Sequence, residues 1–302
     1  MTLLHPRLRA LENSLGVSTL SPIIDPKLSD LRIRLWLKRD DLLHPIISGN
    51  KWRKLKYPLN DALVKGADTL VSMGGAYSNH LHALAFAGKS LGLQTIGYVR
   101  GEQPKIFNRT LQDLSQWGME LRFVSRGDYR MLRAYKDSDM ADLSSNQYWL
   151  PEGGASALAL KGVSEIVAEM PIDFEHLFVA CGTGTTLAGL IAAAPVHCRV
   201  TGVAALKGAG FLNREVKQLL SQNQIYTNWQ IIQDYHFGGF AKSTADLEQF
   251  VRQFYASHSI TLEPVYTGKL LYAVFDLLQK GYFKTGQRIV VLHTGGLQGA
   301  RH

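Results

Sequence analysis

Short runs of β-branched and apolar residues alternate along the chain with longer segments in which apolar residues recur at helical spacing. The first pattern predicts buried strands and the second predicts helices. The predicted strands are 35–38, 69–73, 95–99, 120–124, 176–180, 199–204, 230–233 and 288–292. The predicted helices are 50–65, 78–91, 105–117, 155–170, 186–194, 212–220, 244–257 and 268–280. This alternation is typical of doubly wound α/β folds, in which helices cover a parallel sheet.

Polar loops follow four of the predicted strands, and a ligand is expected there. In sheets of this class, ligands bind at the carboxyl ends of the strands. The loops at those ends are rich in glycine, serine, threonine or asparagine, and they are 74–79, 181–186, 237–241 and 293–297. We expect the functional side chains on these loops.

Composition narrows the class of protein. A length of 302 residues suggests two domains, and 46% apolar with 19% charged residues exclude a disordered chain. The net charge of +8 is spread along the chain, so no nucleic-acid partner is expected. Glycines and threonines interrupt the uncharged stretch 177–196, which argues against a membrane span. Two cysteines and a start without an apolar signal segment favour a cytoplasmic protein.

The run Cys181-Gly182-Thr183-Gly184-Thr185-Thr186 lies between a predicted strand and a predicted helix. Glycines let backbone N–H groups converge, hydroxyls add donors, and a helix N-terminus carries partial positive charge. The run is therefore predicted to bind one phosphate. The alternative is an ordinary turn between strand and helix. Leu187 stands where a dinucleotide-binding fingerprint has its third glycine, which excludes that motif.

Lys51 follows a glycine and an asparagine at the start of a predicted helix. A cation is disfavoured at a helix N-terminus, so a lysine there is either solvated or a functional amine with a lowered pKa. Taken alone, the sequence favours the solvated lysine. A neighbouring site for one phosphate shifts the balance, because pyridoxal phosphate needs one imine-forming lysine and one phosphate site.

Other candidate residues allow two interpretations each. Ser78 and Asn79 either cap the helix that follows or donate hydrogen bonds to a ligand. Thr294 either caps its loop or bonds a ring nitrogen, and Tyr266 either packs or acts in the site. His80 and the histidine two positions later face different sides of a helix, so no metal site is predicted.

The chain carries five motifs in order, namely Lys38-Arg39-Asp40-Asp41, Gly49-Asn50-Lys51-Trp52-Arg53-Lys54-Leu55, Ser78-Asn79-His80, Pro264-Val265-Tyr266-Thr267-Gly268-Lys269 and His293-Thr294-Gly295-Gly296. Together they resemble the 1-aminocyclopropane-1-carboxylate deaminase and D-cysteine desulfhydrase family. The similarity spans about residues 30–299, which is nearly the whole chain.

The resemblance implies a pyridoxal-phosphate enzyme with a tryptophan synthase β-like fold. Such a fold has two open, twisted, mostly parallel sheets with helices on both faces. A small domain, residues 50–148, would be inserted into a large cofactor-binding domain, residues 1–49 plus 149–302. Members of this family are usually homodimers, so a homodimer is expected.

The resemblance also implies which residues bind the cofactor. Lys51 would carry it covalently, while Lys54 and the loop 183–186 would hold its phosphate. Asn79 would contact the 3-oxygen of the ring, and Thr294 would lie close to the ring nitrogen. The implied catalytic residues are Lys51, Ser78 and Tyr266. The implied substrate pocket contains Tyr77, Ser78, His80, Phe240 and Thr267.

Two positions distinguish the branches of the family. Deaminases carry glutamate where this chain has Thr267 and leucine where it has Thr294, so the chain is more similar to the desulfhydrases. A hydroxyl at the ring nitrogen holds a positive charge there less well than a carboxylate does. The chain also departs from both branches, because Phe240 replaces a usual tyrosine and Tyr77 a usual glutamine.

The sequence thus predicts a lyase for a small amino acid. The preferred hypothesis is β-elimination of D-cysteine to pyruvate, sulfide and ammonia. One alternative is deamination of 1-aminocyclopropane-1-carboxylate to 2-oxobutanoate and ammonia. The other is a protein that binds the cofactor or an amino acid with little turnover, because Phe240 lacks a hydroxyl that could serve as acid or base.

Overall fold

The computed structural model describes residues 3–47, 49–135 and 143–297. The strands in these ranges are β1 Leu20–Ile23, β2 Arg34–Arg39, β3 Thr69–Gly74, β4 Gln94–Arg100, β5 Met119–Val124, β6 Gln147–Leu150, β7 His176–Cys181, β8 Arg199–Ala204, β9 Trp229–Ile232 and β10 Arg288–His293. The α-helices are α1 Pro6–Asn13, α2 Pro26–Asp30, α3 Asn50–Val64, α4 Asn79–Leu91, α5 Arg109–Gln116, α6 Arg126–Leu132, α7 Ala157–Ala168, α8 Thr185–Ala193, α9 Leu212–Leu219, α10 Ala245–His258 and α11 Thr267–Gln279.

The strands form two sheets. The larger has the order β1-β2-β10-β7-β8-β9, and the smaller has the order β5-β4-β3-β6. Every neighbouring pair is parallel except β1 and β2, which are antiparallel. This confirms the expected fold of two mostly parallel sheets. The division into an inserted domain, 50–148, and a surrounding domain stays a prediction.

Burial along the strands follows from the layered architecture. Every position of β3 and of β7 is buried. Helices cover both faces of a parallel sheet, so its central strands are buried on both sides and mostly apolar rather than alternating with polar residues. The short apolar runs in the sequence have the same cause.

The sequence pattern found the long elements and missed five of the short ones. It did not predict β1, β6, α1, α2 or α6, which have four to eight residues each and are too short for a clear period. The helix predicted over 105–117 begins only at Arg109. Asn108 caps it, with its side-chain oxygen accepting a hydrogen bond from the Leu111 N–H at 3.0 Å.

Helix α3 carries Lys51 in its first turn and packs very closely on α7. A Cβ on Gly162 of α7 would lie 1.9 Å from the backbone oxygen of Arg53. Only a residue without a side chain allows this approach. Leu55, Leu59 and Ala62 of α3 are fully buried on its core face.

A buried ion network ties α3 to the larger sheet. The Arg53 guanidinium pairs with Asp40 at 3.0 Å and also with Glu169, while Lys38 Nζ pairs with Glu169 at 2.7 Å. Lys38, Asp40 and Arg53 are all at most 3% exposed. The backbone oxygen of Asp40 also accepts a hydrogen bond from the Gly49 N–H at 2.8 Å. The motif at 38–41 therefore helps to hold the start of α3, and with it Lys51, in position.

Within the described ranges, no helix combines the length and the apolar character needed to cross a membrane.

Candidate active site

Gly49 brings the start of α3 against the loop after β10. It adopts φ +62°, and a Cβ there would lie 1.8 Å from the backbone oxygen of Thr294. A side chain is therefore excluded by both conformation and space. The motifs around Lys51 and Thr294 meet at this contact.

Lys51 is linked through its neighbour to the predicted phosphate loop. Its Nζ donates a hydrogen bond to Asn50 Oδ1 at 3.0 Å, and Asn50 Nδ2 donates to Thr186 Oγ1 at 2.9 Å. Burial lowers the pKa of Lys51 from the usual 10.5 to about 8, although the Glu263 carboxylate acts in the opposite direction. The neutral fraction of the amine near physiological pH is therefore larger than that of an ordinary lysine.

The loop before α8 has the geometry of a site for an anion. Gly184 has φ +79°, and the hydroxyls of Thr183 and Thr185 lie 3.2 Å apart at the helix N-terminus. Gly153 packs on the loop, since a Cβ there would come within 2.9 Å of Thr183. Lys54 Nζ donates to the Gly153 carbonyl at 3.2 Å. The loop therefore offers hydroxyl and N–H donors beside a lysine.

The donor set fits pyridoxal phosphate. Burial, followed by the neighbouring Lys51 charge, holds the pKa of Lys54 well below its usual value. An anion beside the two lysines would offset the cost of burying their positive charges. A helix N-terminus with threonine hydroxyls suits a phosphate. Lys51 supplies an amine that can be neutral. The residues present therefore match both the phosphate and the aldehyde of the cofactor.

The first turn of α4 lies opposite the loop after β10. Ser78 caps α4, with its Oγ accepting from the Leu81 N–H at 3.2 Å. A Cβ on Gly296 would lie 3.1 Å from Asn79 Nδ2. Ser78 thus has the capping contact, and its hydroxyl proton can still be donated to a ligand. Ser78 can therefore cap α4 and bind a ligand at the same time, so its two interpretations do not exclude each other.

His80 is buried beside the lysines with a defined tautomer. Ser72 Oγ donates to the Leu150 carbonyl at 2.8 Å, so the 3.0 Å bond between Ser72 and His80 has His80 Nε2–H as its donor. Nδ1 of His80 is then an acceptor, and it has no hydrogen-bond partner among the described residues. Burial and the charges of Lys51 and Lys54 lower the pKa of His80 to about 3.

Tyr266 closes the site beside the phosphate loop. A Cβ on Gly182 would lie 3.2 Å from its ring and its hydroxyl oxygen. Burial, with the Glu263 carboxylate, raises the pKa of Tyr266, so its phenol stays protonated. Phe240 contacts Tyr266 edge to face, with the ring centroids 5.9 Å apart.

Thr267 differs in burial from two of the other predicted pocket residues. Its side chain is fully buried, and its Oγ1 accepts from the Glu263 N–H at 3.0 Å. The hydroxyl is thus engaged at the start of α11. Tyr77 and Phe240, in contrast, are 71% and 49% exposed. These two aromatic side chains face solvent rather than a closed pocket.

Two residues of the site were not predicted from the sequence. The Glu263 carboxylate is 1% exposed and accepts hydrogen bonds from the N–H groups of Val265, Tyr266 and Thr267 at 2.6–2.7 Å. Asn50 joins Lys51 to Thr186. Glu263 could have been identified from its position just before a predicted helix, where an acidic residue is favourable. Asn50 offered no signal beyond its place next to Lys51.

Comparisons with known proteins show the family of the chain. Residues 21–295 match the family model described as pyridoxal-phosphate dependent enzyme. A Pyrococcus horikoshii protein named "Putative 1-aminocyclopropane-1-carboxylate deaminase" is 34% identical over 89% of this chain and 86% of its own length. An Arabidopsis thaliana protein named bifunctional D-cysteine desulfhydrase/1-aminocyclopropane-1-carboxylate deaminase, mitochondrial, is 28% identical over 88% of this chain and 73% of its own length. A solved structure described as an ACC deaminase homologue superposes with a TM-score of 0.79 at 29% identity, covering 98% of this chain and 97% of its own.

Fold and site together define a pyridoxal-phosphate enzyme with a tryptophan synthase β-like fold. The chain belongs to the pyridoxal-phosphate dependent enzyme family and is similar there to the proteins named for 1-aminocyclopropane-1-carboxylate deaminase. Its cofactor is pyridoxal phosphate, as the sequence predicted.

Proposed function

We propose that this protein is a lyase that cleaves the carbon–sulfur bond of D-cysteine. The observation that carries the proposal is the Lys51 amine, with its pKa lowered to about 8 and held by Asn50 next to a phosphate-type loop. A neutral amine at this position can take a proton from a bound amino acid. The Arabidopsis relative named as a D-cysteine desulfhydrase supports the choice of substrate.

Each predicted cofactor residue has a proposed contact. Lys54 and the hydroxyls of 183–186 would hold the phosphate, and Asn79 and Thr294 would contact the ring. Pyridoxal phosphate supplies an electron sink that stabilises negative charge at the α-carbon. The two lysines lie close enough for the charge of one to lower the pKa of the other, so the phosphate and the aldehyde can be held together.

The protein's own residues would move the protons. Lys51 Nζ would remove the α-proton, and the β-carbon–sulfur bond would then break with the electron pair leaving on sulfur. Tyr266 stays protonated and is the proposed donor to the departing sulfide. Ser78 would donate a hydrogen bond from its hydroxyl to the substrate carboxylate. Hydrolysis of the remaining enamine consumes one water, so D-cysteine and water give pyruvate, hydrogen sulfide and ammonia.

Deamination of 1-aminocyclopropane-1-carboxylate is the second candidate, because several relatives carry that name. Thr267 favours the first candidate: its hydroxyl is bonded to Glu263, and no carboxylate is present at its own position. Phe240 has no hydroxyl to supply as an acid or base.

The test has a cofactor step and a substrate step. Purified protein should show the lysine-bound absorbance of pyridoxal phosphate, and Lys51→Ala should lose it. Lys65→Ala, which removes an exposed lysine at the end of the same helix, is the matched control and should keep it. A Lys51→Ala protein with unchanged absorbance would refute the role of Lys51.

The substrate step assays keto acid and sulfide separately. D-cysteine should yield both pyruvate and sulfide. Formation of 2-oxobutanoate from 1-aminocyclopropane-1-carboxylate without any sulfide from D-cysteine would favour the second candidate. Bound cofactor without product from a panel of D- and L-amino acids would favour a binding protein, and Phe240→Tyr would then test whether the missing hydroxyl limits turnover.

We also propose a cytoplasmic homodimer. The two cysteines are free and buried, as expected in a reducing compartment. Size-exclusion chromatography with light scattering tests the dimer.

A further inference from the structure

Lys269 is a buried lysine that the proposed reaction does not use. It is the third residue of α11 and is 1% exposed. A cation near a helix N-terminus is unfavourable, and burial of an ammonium without partners is costly. Some strong local interaction must therefore keep Lys269 in this place.

The ammonium of Lys269 is surrounded by backbone carbonyls. Its Nζ donates to Gly239 O at 2.8 Å, to His236 O at 2.9 Å and to Ala205 O at 3.3 Å. A lysine ammonium has three N–H donors, so all three are used. The Glu263 carboxylate lies near enough to favour the charged form, while burial lowers the pKa of Lys269 to about 8.

The carbonyls belong to two separate loops that lie over the site. Ala205 directly follows β8, and residues 236–241 form a turn after β9. Phe237 and Ala241 have φ near +50°, which is unfavourable for residues with a side chain, and Gly238 and Gly239 also have positive φ. Two such residues strain the turn, and the ammonium supports it by bonding two of its carbonyls.

The turn in question positions an aromatic contact of the site. It carries Phe240, whose ring lies edge to face on Tyr266. Tyr266 in turn packs on Gly182 of the phosphate loop. A chain of contacts thus runs from Lys269 through the turn to Tyr266.

We propose that Lys269 is a positioning residue whose ammonium serves as a built-in monovalent cation, holding the turn 236–241 and the end of β8 together over the site. Convergent backbone carbonyls are the ligands that replace water around a potassium ion. The protein therefore needs no added potassium or ammonium ion here. Removal of the side chain to its Cβ leaves three carbonyls that can accept such an ion.

The experiment measures thermal midpoints of the purified protein in chlorides of potassium, ammonium, sodium and tetramethylammonium at equal ionic strength. The wild type should give the same midpoint in all four. Lys269→Ala should unfold at a lower temperature in tetramethylammonium, and potassium or ammonium should raise its midpoint in a saturable way. Lys269→Met fills the space with an apolar chain, so its lowered midpoint should not respond to any cation.

Lys280→Ala is the matched control, because it removes an exposed lysine at the end of the same helix. It should show no cation preference. A wild type that requires potassium, or a Lys269→Ala protein equally unstable in all four salts, overturns the proposal. The readout needs neither substrate nor turnover, so it is independent of the proposed function.

Cleavage by trypsin at the exposed Lys242 reports on the turn itself. It should be faster in Lys269→Ala than in the wild type and should slow again with potassium. If Lys269→Ala cannot be purified, Lys269→Gln replaces it, because its amide can donate two hydrogen bonds. Cleavage should then rank wild type slowest, Lys269→Gln intermediate and Lys269→Met fastest, and equal rates overturn the proposal.

A catalytic readout follows once a substrate is known. Misplacement of a site group by about 1 Å can cost up to about 100-fold in rate. We expect Lys269→Ala to lose kcat/KM by up to that factor and to regain it with potassium or ammonium. A loss that potassium does not reverse would leave Lys269 with only a structural role and would contradict the proposal.

Discussion

At the scale of single residues, burial controls the chemistry of two basic side chains. Lys51 and His80 are both shifted toward their neutral forms because the protein interior solvates charge poorly. The consequence differs, since Lys51 becomes a base near neutral pH whereas His80 becomes a permanent hydrogen-bond acceptor.

The lowered pKa of Lys51 predicts its reactivity in the apo protein. Competitive labelling with acetic anhydride acts on neutral amines, so the labelling of Lys51 should rise tenfold per pH unit and level off near pH 8. An ordinary exposed lysine reaches this plateau only above about 10.4. Peptide mass spectrometry measures both in one sample. A plateau of Lys51 at the ordinary value would contradict the prediction.

The hydrogen bonds of Ser72 predict the tautomer of His80. Nitrogen-15 NMR should show the Nε2–H form from pH 8 down to pH 4, because the pKa of His80 is about 3. The unfolded chain takes up this proton near pH 6.5, so the contribution of His80 to stability is lost as the pH falls from about 6.5 toward 3. Titration of the native ring near 6.5 would refute the assignment.

At the scale of the elements, the contact at Gly162 sets the distance between α7 and α3, the helix that carries Lys51. Gly162→Ala should lower the free energy of unfolding by about 1–3 kcal/mol, because its Cβ would overlap the Arg53 carbonyl. Urea unfolding measures this. Gly127→Ala in α6 is the matched control, since a Cβ there meets only an ordinary contact at 3.5 Å. An equal effect of both substitutions would rule out the close helix packing.

At the scale of the whole molecule, the network of Lys38, Asp40, Arg53 and Glu169 connects β2, α3 and the end of α7. Asp40→Asn leaves the buried Arg53 charge with one partner fewer. We expect it to lower the free energy of unfolding by about 3–5 kcal/mol. Glu120→Gln breaks an exposed pair with Arg122 and should change little. Equal urea midpoints for both variants would refute the role of the network.

Local sequence was sufficient for most of the fold and for the motifs. The helix that begins at Asn50 and the strand that ends before Gly182 follow from apolar period and glycine placement, which depend only on neighbouring residues. The short elements β1 and β6 were missed because their pairing partners, not their own few residues, make them strands.

The sequence by itself determined the fold class and the cofactor, whereas the phosphate loop and the reactive lysine stay predictions. Tertiary structure decided how these parts act. It brought Gly49 onto Thr294 and bonded Asn50, the neighbour of Lys51, to Thr186. It also revealed that the buried Glu263 caps α11 and that Lys269 holds two loops. These properties depend on burial and on contacts between residues far apart in the chain, because desolvation and hydrogen bonding arise only once the chain has packed.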